Sequence, residues 1–555
     1  MSKAQLRIIF LFFCFFVFPY CIQAQDCGSS FNFTPVQKNN TIEWGKFPEF
    51  SLPFKIVYEG PRFDDQQSSP LKRGFSHLAK FSGNEFNTLP AANRAITWYH
   101  IVTDPQPSQP WADKEIKSPW GNNLGLYRQT WDNQLSNFSN LFGNSFGKSS
   151  PDFNLISLDV ESIFDTDREI IATKSNVKTT LNYKNLADNQ YIERYKRDIQ
   201  KLYTAPIVQL KSKNISSNTK IGSYSDVMVR GSFNNWLALK AFNWSDWTTD
   251  PSATLHVMRD TLSGKVGGSF YDNLDFLTPS CYYYYDYNDP LGKDYLAYIL
   301  FVIEANRYWS NKEVIPFIWL RYHNAFNPTT PFVPKFVAEA TAIMPFFSGA
   351  KGLWLWDGPV ENNSFNYATY EYFIGGLYRL SQFKRFFEGN YELVIPQPAI
   401  ENAKSQTAIW RGVVKDGEIL IAAQNPYSTS DNQNTTVTVK YKNWQKDIVL
   451  VGREVFLCSF KDILISATNP NLSIRKTIIS PNPAADYINI SFDLPLIDNG
   501  IIEIIDLLGR TIKIENIDKN LSTINISTQN VPSGMYVLKT SFGNETTTQK
   551  ILILK

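Results

Sequence analysis

Between residues 53 and 358 the chain repeats one hydropathy phrase: a short apolar run, closed at its C-terminal side by polar or aromatic residues, then a connecting stretch. The runs are PFKIVYEG (53–60), GFSHLAKF (74–81), RAITWYHIV (94–102), NLISLDVES (154–162), KIGSYSDVM (220–228), LDFLTPSCYYY (274–284), EVIPFIWLRYH (313–323) and KGLWLWDG (351–358). Short continuous apolar runs bounded by turns read as buried strands. Several connections carry helical periodicity, notably NQYIERYKRDIQKLY (189–203), KDYLAYILFVIEANRYW (293–309) and VPKFVAEATAIMPFF (333–347). Eight strands alternating with helices is the count of an α/β fold of the (β/α)8 TIM-like barrel type. A doubly wound sheet shows the same alternation. The barrel is favoured because the runs end in chemistry: Glu59, Trp98 with His100, Asp159 with Glu161, Tyr224 with Asp226, Tyr282 onward, Arg321 with His323, and Trp356 with Asp357. Active sites of such barrels sit on that rim.

The pattern changes after residue 390. Residues 391–465 turn to strands separated by Asp-Gly and Asn-rich turns, a small β-sandwich domain that reads as a structural buttress to a barrel spanning 25–390. Residues 476–555 alternate apolar and polar positions with almost no helical period, a second small β-sandwich. At the other end, Lys3 and Arg7 precede a short apolar run, Pro19 and the small-residue site Ile22-Gln23-Ala24. Residues 1–24 therefore read as a secretory signal peptide cut after Ala24, leaving no membrane span in the mature chain.

Composition narrows the chemistry. The mature chain keeps Cys27, Cys281 and Cys458, widely spaced and odd in number, which argues against a disulfide framework or a Cys-rich metal site. The four histidines form no HExxH and no close His/Cys cluster, so no zinc site and no other cofactor is expected. Lys plus Arg number 54 against 52 Asp plus Glu, which gives no basic field for nucleic acid. Aromatic residues make up 15% of the chain, with 14 Trp and 28 Tyr; such rings serve as core or as sugar-stacking faces.

The carboxylates of FNLISLDVES (153–162) stand two residues apart at the end of the fourth run. Strand alternation sets Asp159 and Glu161 on one face, toward the mouth of a barrel interior. Two carboxylates close together favour protonation of one, as a general acid requires. Asp357 and Glu59, closing the eighth and first runs, are competing partners for Glu161 as nucleophile or base. Trp98, Arg321, Tyr224 and Tyr283 are candidate substrate contacts on the same rim, with half of the tyrosines at 282–287 facing the helices as packing. Trp236, Trp244 and Trp247 line either a groove or the apolar side of a helical insertion.

Two resemblances refine this reading. SPNPA (480–484), DLLGR (506–510), VPSGMY (531–536) and the terminal Lys555 resemble the type A sorting domain of the type IX secretion system. The resemblance implies a Bacteroidetes-type protein exported across the outer membrane, with the secretion machinery as partner. ISLDVES (156–162) is similar to the fourth-strand motif of family 18 chitinases and family 56 hyaluronidases. LTPSCYY (277–283) is similar to the hyaluronidase Pro-x-Cys-Tyr motif, and GLWLWDG (352–358) to the eighth-strand segment of both families. The chitinase aspartates that precede the pair, and the residues that follow it in hyaluronidases, are absent. The resemblance implies a secreted glycoside hydrolase acting on an N-acetylhexosamine-containing polysaccharide by substrate-assisted retention. Glu161 would be the acid/base, Asp159 and Tyr282 would orient the 2-acetamido group, and Trp356 would floor the sugar site. The alternatives are a conventional carboxylate pair, Glu161 with Asp357 or Glu59, and a non-catalytic glycan-binding protein.

Overall fold

The computed structural model describes residues 25–555 except 30, 64–67, 103–108, 112–117, 143–151, 163–165, 176–180, 214–216, 359–364, 462, 464–476, 493–495, 497, 508 and 543–544. The expected signal peptide lies outside the described residues. The chain forms two compact units, Met1–Leu464 and Ile465–Lys555.

The larger unit is mixed α/β with several parallel sheets. Each of the predicted runs contains strand: Lys55–Glu59, His77–Leu78, Ala95–Trp98, Leu155–Leu158, Lys220–Ser223, Phe276–Leu277, the pair Glu313–Val314 and Phe317–Ile318, and Gly352–Trp356. The first strand lies between the second and the eighth, and the eighth also pairs with the seventh. The third, fourth and fifth form one sheet, and the sixth pairs with the seventh. Single parallel bridges, Leu78 to Arg94 and Tyr224 to Thr278, link these groups. All are parallel and buried on both faces, which is why they are legible as unbroken apolar runs. The seventh is split at Pro316, which has no N–H to give the ladder.

Helices Leu124–Leu141, Asp188–Lys211, Tyr295–Trp309, Lys335–Phe347 and Ala368–Ser381 occupy the connections. Asp188–Lys211 buries Tyr191, Tyr195, Ile199, Leu202, Tyr203, Ile207 and Leu210, an apolar stripe at helical spacing. Tyr295–Trp309 is buried almost throughout, so it carries no such stripe. Trp236 is buried and donates to Asp294 (2.8 Å), while Trp244 and Trp247 pack on Phe301, so these indoles are the apolar side of a helical insertion.

The strands after residue 390 do not separate from this unit. Glu392–Val394, Ile409–Lys415, Glu418–Gln424 and Phe456–Phe460 form an antiparallel sheet, completed by Gln25–Asp26 from the start of the described chain. The hairpin Asn434–Tyr441/Trp444–Val451 packs across it around Trp410, Ile421, Val439 and Trp444. Asp416 and Gly417 turn the second hairpin with φ of 49° and 76°, the left-handed pair that a two-residue hairpin turn demands. Glu304, inside the buried helix, accepts from Arg411 Nε (2.9 Å) and Nη2 (2.7 Å), Ser348 Oγ (2.8 Å) and Ala399 N (2.8 Å). One carboxylate thus ties the helix to the antiparallel sheet. The three cysteines build no disulfide framework, but Cys27 and Cys458 form one disulfide across 431 residues, beside the pairing of Gln25–Asp26 with Ser459–Phe460. Cys281 is free and buried.

The second unit is a β-sandwich. One sheet holds Thr477–Ser480, Tyr487–Phe492 and Thr523–Ser527; the other holds Gly500–Ile505, Thr511–Ile517, Gly534–Phe542 and Glu545–Ile553. Ile488, Ile490, Ile502, Ile504, Ile526, Leu538 and Ile551 fill the space between them.

Two stability outcomes follow from this architecture. Glu304→Gln leaves the Arg411 charge buried without its counter-ion and is expected to cost about 3–5 kcal/mol, read from the denaturant midpoint of the larger unit. The double variant Cys27→Ser/Cys458→Ser is expected to lose up to about 5 kcal/mol through release of unfolded-chain entropy; a midpoint equal to that of the parent would show that the bridge adds nothing.

Candidate active site

Glu59, the last residue of the first strand, is buried where the first, third and eighth strands end. Its Oε2 accepts from Thr97 Oγ1 (2.7 Å) and Trp354 Nε1 (2.6 Å), and its Oε1 from the Tyr99 hydroxyl (2.8 Å). The Tyr99 oxygen in turn accepts from Trp356 Nε1 (2.7 Å). Burial pushes the Glu59 carboxyl above its ordinary value, against the pull of its three donors and of the Lys80 charge. Burial and the Glu59 charge push the Tyr99 phenol up as well, so Tyr99 remains a protonated donor.

An aromatic cluster lies beside this chain of hydrogen bonds. The half-buried Trp356 ring stacks on Tyr282 (centroids 5.4 Å, 26°) and meets Trp319 edge-on (5.0 Å, 73°). Tyr282 continues to Tyr224 (5.9 Å), and His323 stacks on Tyr284 at 4.2 Å. The Tyr224 hydroxyl donates to Ser280 Oγ (2.9 Å) and interacts with that of Tyr282. Burial holds the Tyr224 phenol well above its usual range, and the Glu161 charge adds to the effect; the same charge reaches Tyr284. The Glu161 charge thus lies within electrostatic reach of Tyr224 and Tyr284 in this cluster.

Asp357 accepts from Trp319 Nε1 (2.7 Å), the Tyr370 hydroxyl (2.8 Å) and Arg321 Nη2 (3.2 Å). The Arg321 guanidinium is clasped between the rings of Phe332 and Phe365, each 4.4 Å away. Both members of the pair are buried, so of the two roles its place on the rim allows, a sugar contact or an ion pair, Arg321 takes the ion pair. Trp98 and Tyr283 are corrected likewise. Trp98 points into the helical layer and donates to Gln134 (2.9 Å), and Tyr283 reaches Thr341 (2.6 Å) on Lys335–Phe347. Each has the strand parity that faces the helices.

The carboxylate pair departs from its predicted setting. The fourth strand ends at Leu158; Asp159 is half-buried, with its amide donating to Trp98 O (3.3 Å), and Glu161 is exposed. Glu161 has φ of 50°, a left-handed conformation that breaks strand alternation and turns its side chain out to the rim. The buried carboxylate with a raised pKa is Glu59. Tyr99 and Trp319, absent from the predicted site, were within reach of the sequence: Tyr99 stands between the two residues chosen from its run, and Trp319 shares parity with Arg321 and His323.

Comparison with known proteins bears mostly on the second unit. Residues 478–554 match the secretion system C-terminal sorting domain. The chain is accordingly a type IX secretion cargo, exported and associated with the cell surface. Among the described residues no helix is long and apolar enough to cross a membrane. No curated protein sequence matches the chain. Among solved structures, bee venom hyaluronidase is similar at 14% identity and a TM-score of 0.35, over 59% of this chain and 99% of that one. The same enzyme in complex with a hyaluronic acid tetramer aligns at 13% identity, a TM-score of 0.34, and 57% and 94% of the two chains. An Anoxybacillus α-amylase follows at 9%, a TM-score of 0.29, and 60% and 63%. Likeness at this level says nothing about chemistry.

The Glu59 network predicts a pH effect of definite sign. Because burial raises its pKa in the folded protein, stability is greatest below the ordinary glutamate value of 4.5 and falls as pH rises through the raised value. Glu59→Gln should remove that falling segment from a plot of melting temperature against pH; parallel curves for parent and variant would contradict it.

Proposed function

We propose that the larger unit is a glycoside hydrolase whose eight parallel runs close into a (β/α)8 barrel, acting on an N-acetylhexosamine-containing polysaccharide. The observation that carries the reading is the exposed Glu161, held in a strained backbone conformation and within electrostatic reach of an aromatic cluster at the C-terminal ends of the strands. Backbone strain in a non-glycine residue clusters at functional sites, and aromatic faces offer apolar surface with a polar edge on which a sugar can rest. In this reading Glu161 protonates the departing glycosidic oxygen, and the substrate's own acetamido oxygen attacks the anomeric carbon. Asp159 and the Tyr282 hydroxyl orient that amide. Trp356 supplies the apolar floor. Glu161 then takes a proton from the incoming water.

The competing carboxylates are less suited. Glu59 and Asp357 are each buried and each already accept three hydrogen bonds, so both are less open to a sugar than the exposed Glu161. One observation favours Glu59 as the acid in its own right, its burial-raised pKa.

The test measures reducing ends released by the mature protein and by Glu161→Gln and Glu59→Gln from N-acetylated and non-acetylated polysaccharides. Release from N-acetylated substrates alone, lowered about 10²–10⁴-fold in Glu161→Gln, is the expected result. Glu161→Gln turning over like the parent would remove Glu161 from the chemistry, and loss confined to Glu59→Gln would transfer the role.

A further inference from the structure

Glu161 is followed by a peptide that two side chains of the next loop grip from both sides. The Ser162 N–H donates to Asp226 Oδ1 (2.9 Å), and the Ser162 carbonyl accepts from Arg230 Nη1 (2.6 Å). Arg230 also donates through Nη2 to Asp226 Oδ1 (3.2 Å) and through Nε to the Ser225 carbonyl (3.1 Å). Asp226 Oδ2 accepts from Ser223 Oγ (2.8 Å). The Asp226 side chain has no exposure and that of Arg230 19%. Ser225, at the centre of this clasp, is itself left-handed, with φ of 62°.

A non-glycine residue in the left-handed region costs of order 1–2 kcal/mol and persists only where its surroundings over-determine it. Two such residues, Glu161 and Ser225, leave adjacent parallel strands, and one ion pair binds the peptides beside both. Burying the Asp226 carboxylate carries a desolvation cost that its three donors must offset. What the charge supplies is a strong acceptor for one amide, and Arg230 a forked donor for two carbonyls.

We infer that Asp226 and Arg230 are positioning residues for Glu161, holding its left-handed backbone and so the direction of its carboxylate. The inference rests on the reading of Glu161 as the acid/base, but the clasp itself is measurable without turnover. Hydrogen exchange at the Ser162 amide, and kcat and KM on the N-acetylated polysaccharide that the parent cuts, would be measured for Asp226→Asn and Arg230→Gln. Exchange at Ser162 should quicken about tenfold, the equivalent of one lost hydrogen bond. kcat should fall about 10²-fold, the effect of a displacement of roughly 1 Å, with KM nearly unchanged. Arg230→Lys, which keeps the charge but loses the fork, should fall between parent and Arg230→Gln, and it stands in if the stronger variants do not fold. Unchanged exchange at Ser162 in these variants, or a loss of activity expressed in KM, would overturn the inference. Should the parent cut none of the polysaccharides, the hydrolase reading fails while the exchange measurement still decides whether the clasp holds Glu161.

Discussion

A carboxylate enclosed by apolar side chains must be met by donors, because leaving it unpaired costs several kcal/mol, a large part of a domain's net stability. In the larger unit that constraint selects which elements are held together. Glu59 gathers side chains from the first, third and eighth strands, and Asp357 draws in Trp319 and Arg321 from beyond the seventh together with Tyr370 of a helix. Glu304 fastens the most buried helix to the antiparallel sheet, and Asp226 fastens the loops after the fourth and fifth strands. Hydrophobic burial drives these elements together without direction. The carboxylates fix which partner sits where.

The same constraint divides labour among the acidic groups of the rim. Those inside are committed to neighbours: each accepts three hydrogen bonds, and the rings around them, Trp354, Trp319 and Tyr370, are oriented by the bonds they donate. Tyr99 carries that order outward, since its hydroxyl links the buried Glu59 to the ring edge of Trp356 at the surface. A half-buried aromatic face therefore takes its attitude from a carboxylate buried behind it.

Most of the secondary structure of the larger unit was legible, because parallel strands buried on both faces leave apolar runs too short for helices and too continuous for turns. Helices with one buried face were equally plain, as in Asp188–Lys211. What escaped lay at strand ends. Alternation identifies a face only while the strand lasts, and the third and fourth strands stop at Trp98 and Leu158, so Tyr99 replaced Trp98 at the site and Glu161 left the alternation for a left-handed backbone. For Arg321 an ion pair was one of two readings, and which carboxylate it meets was not legible because Asp357 and the Phe365 ring come from a later segment of the chain. The bridge between Cys27 and Cys458 was hidden for the same reason: spacing along the chain carries no sign that the first and last strands of one sheet are neighbours.

That bridge sets a problem of timing. The chain is made from its N-terminus, and the two partners are separated by 431 residues, with the third thiol, Cys281, between them. At roughly 5–20 residues per second, Cys27 waits on the order of half a minute or more for Cys458 to be synthesised. Because the chain is exported, the oxidising compartment lies beyond the cytosol, where Cys27, Cys281 and Cys458 arrive on one chain. Folding protects against the wrong pair, because Cys281 is sealed in the core and burial holds its thiol well above the usual range, leaving little reactive thiolate. Once the core has closed around Cys281, Cys27 and Cys458 are the thiols left to pair.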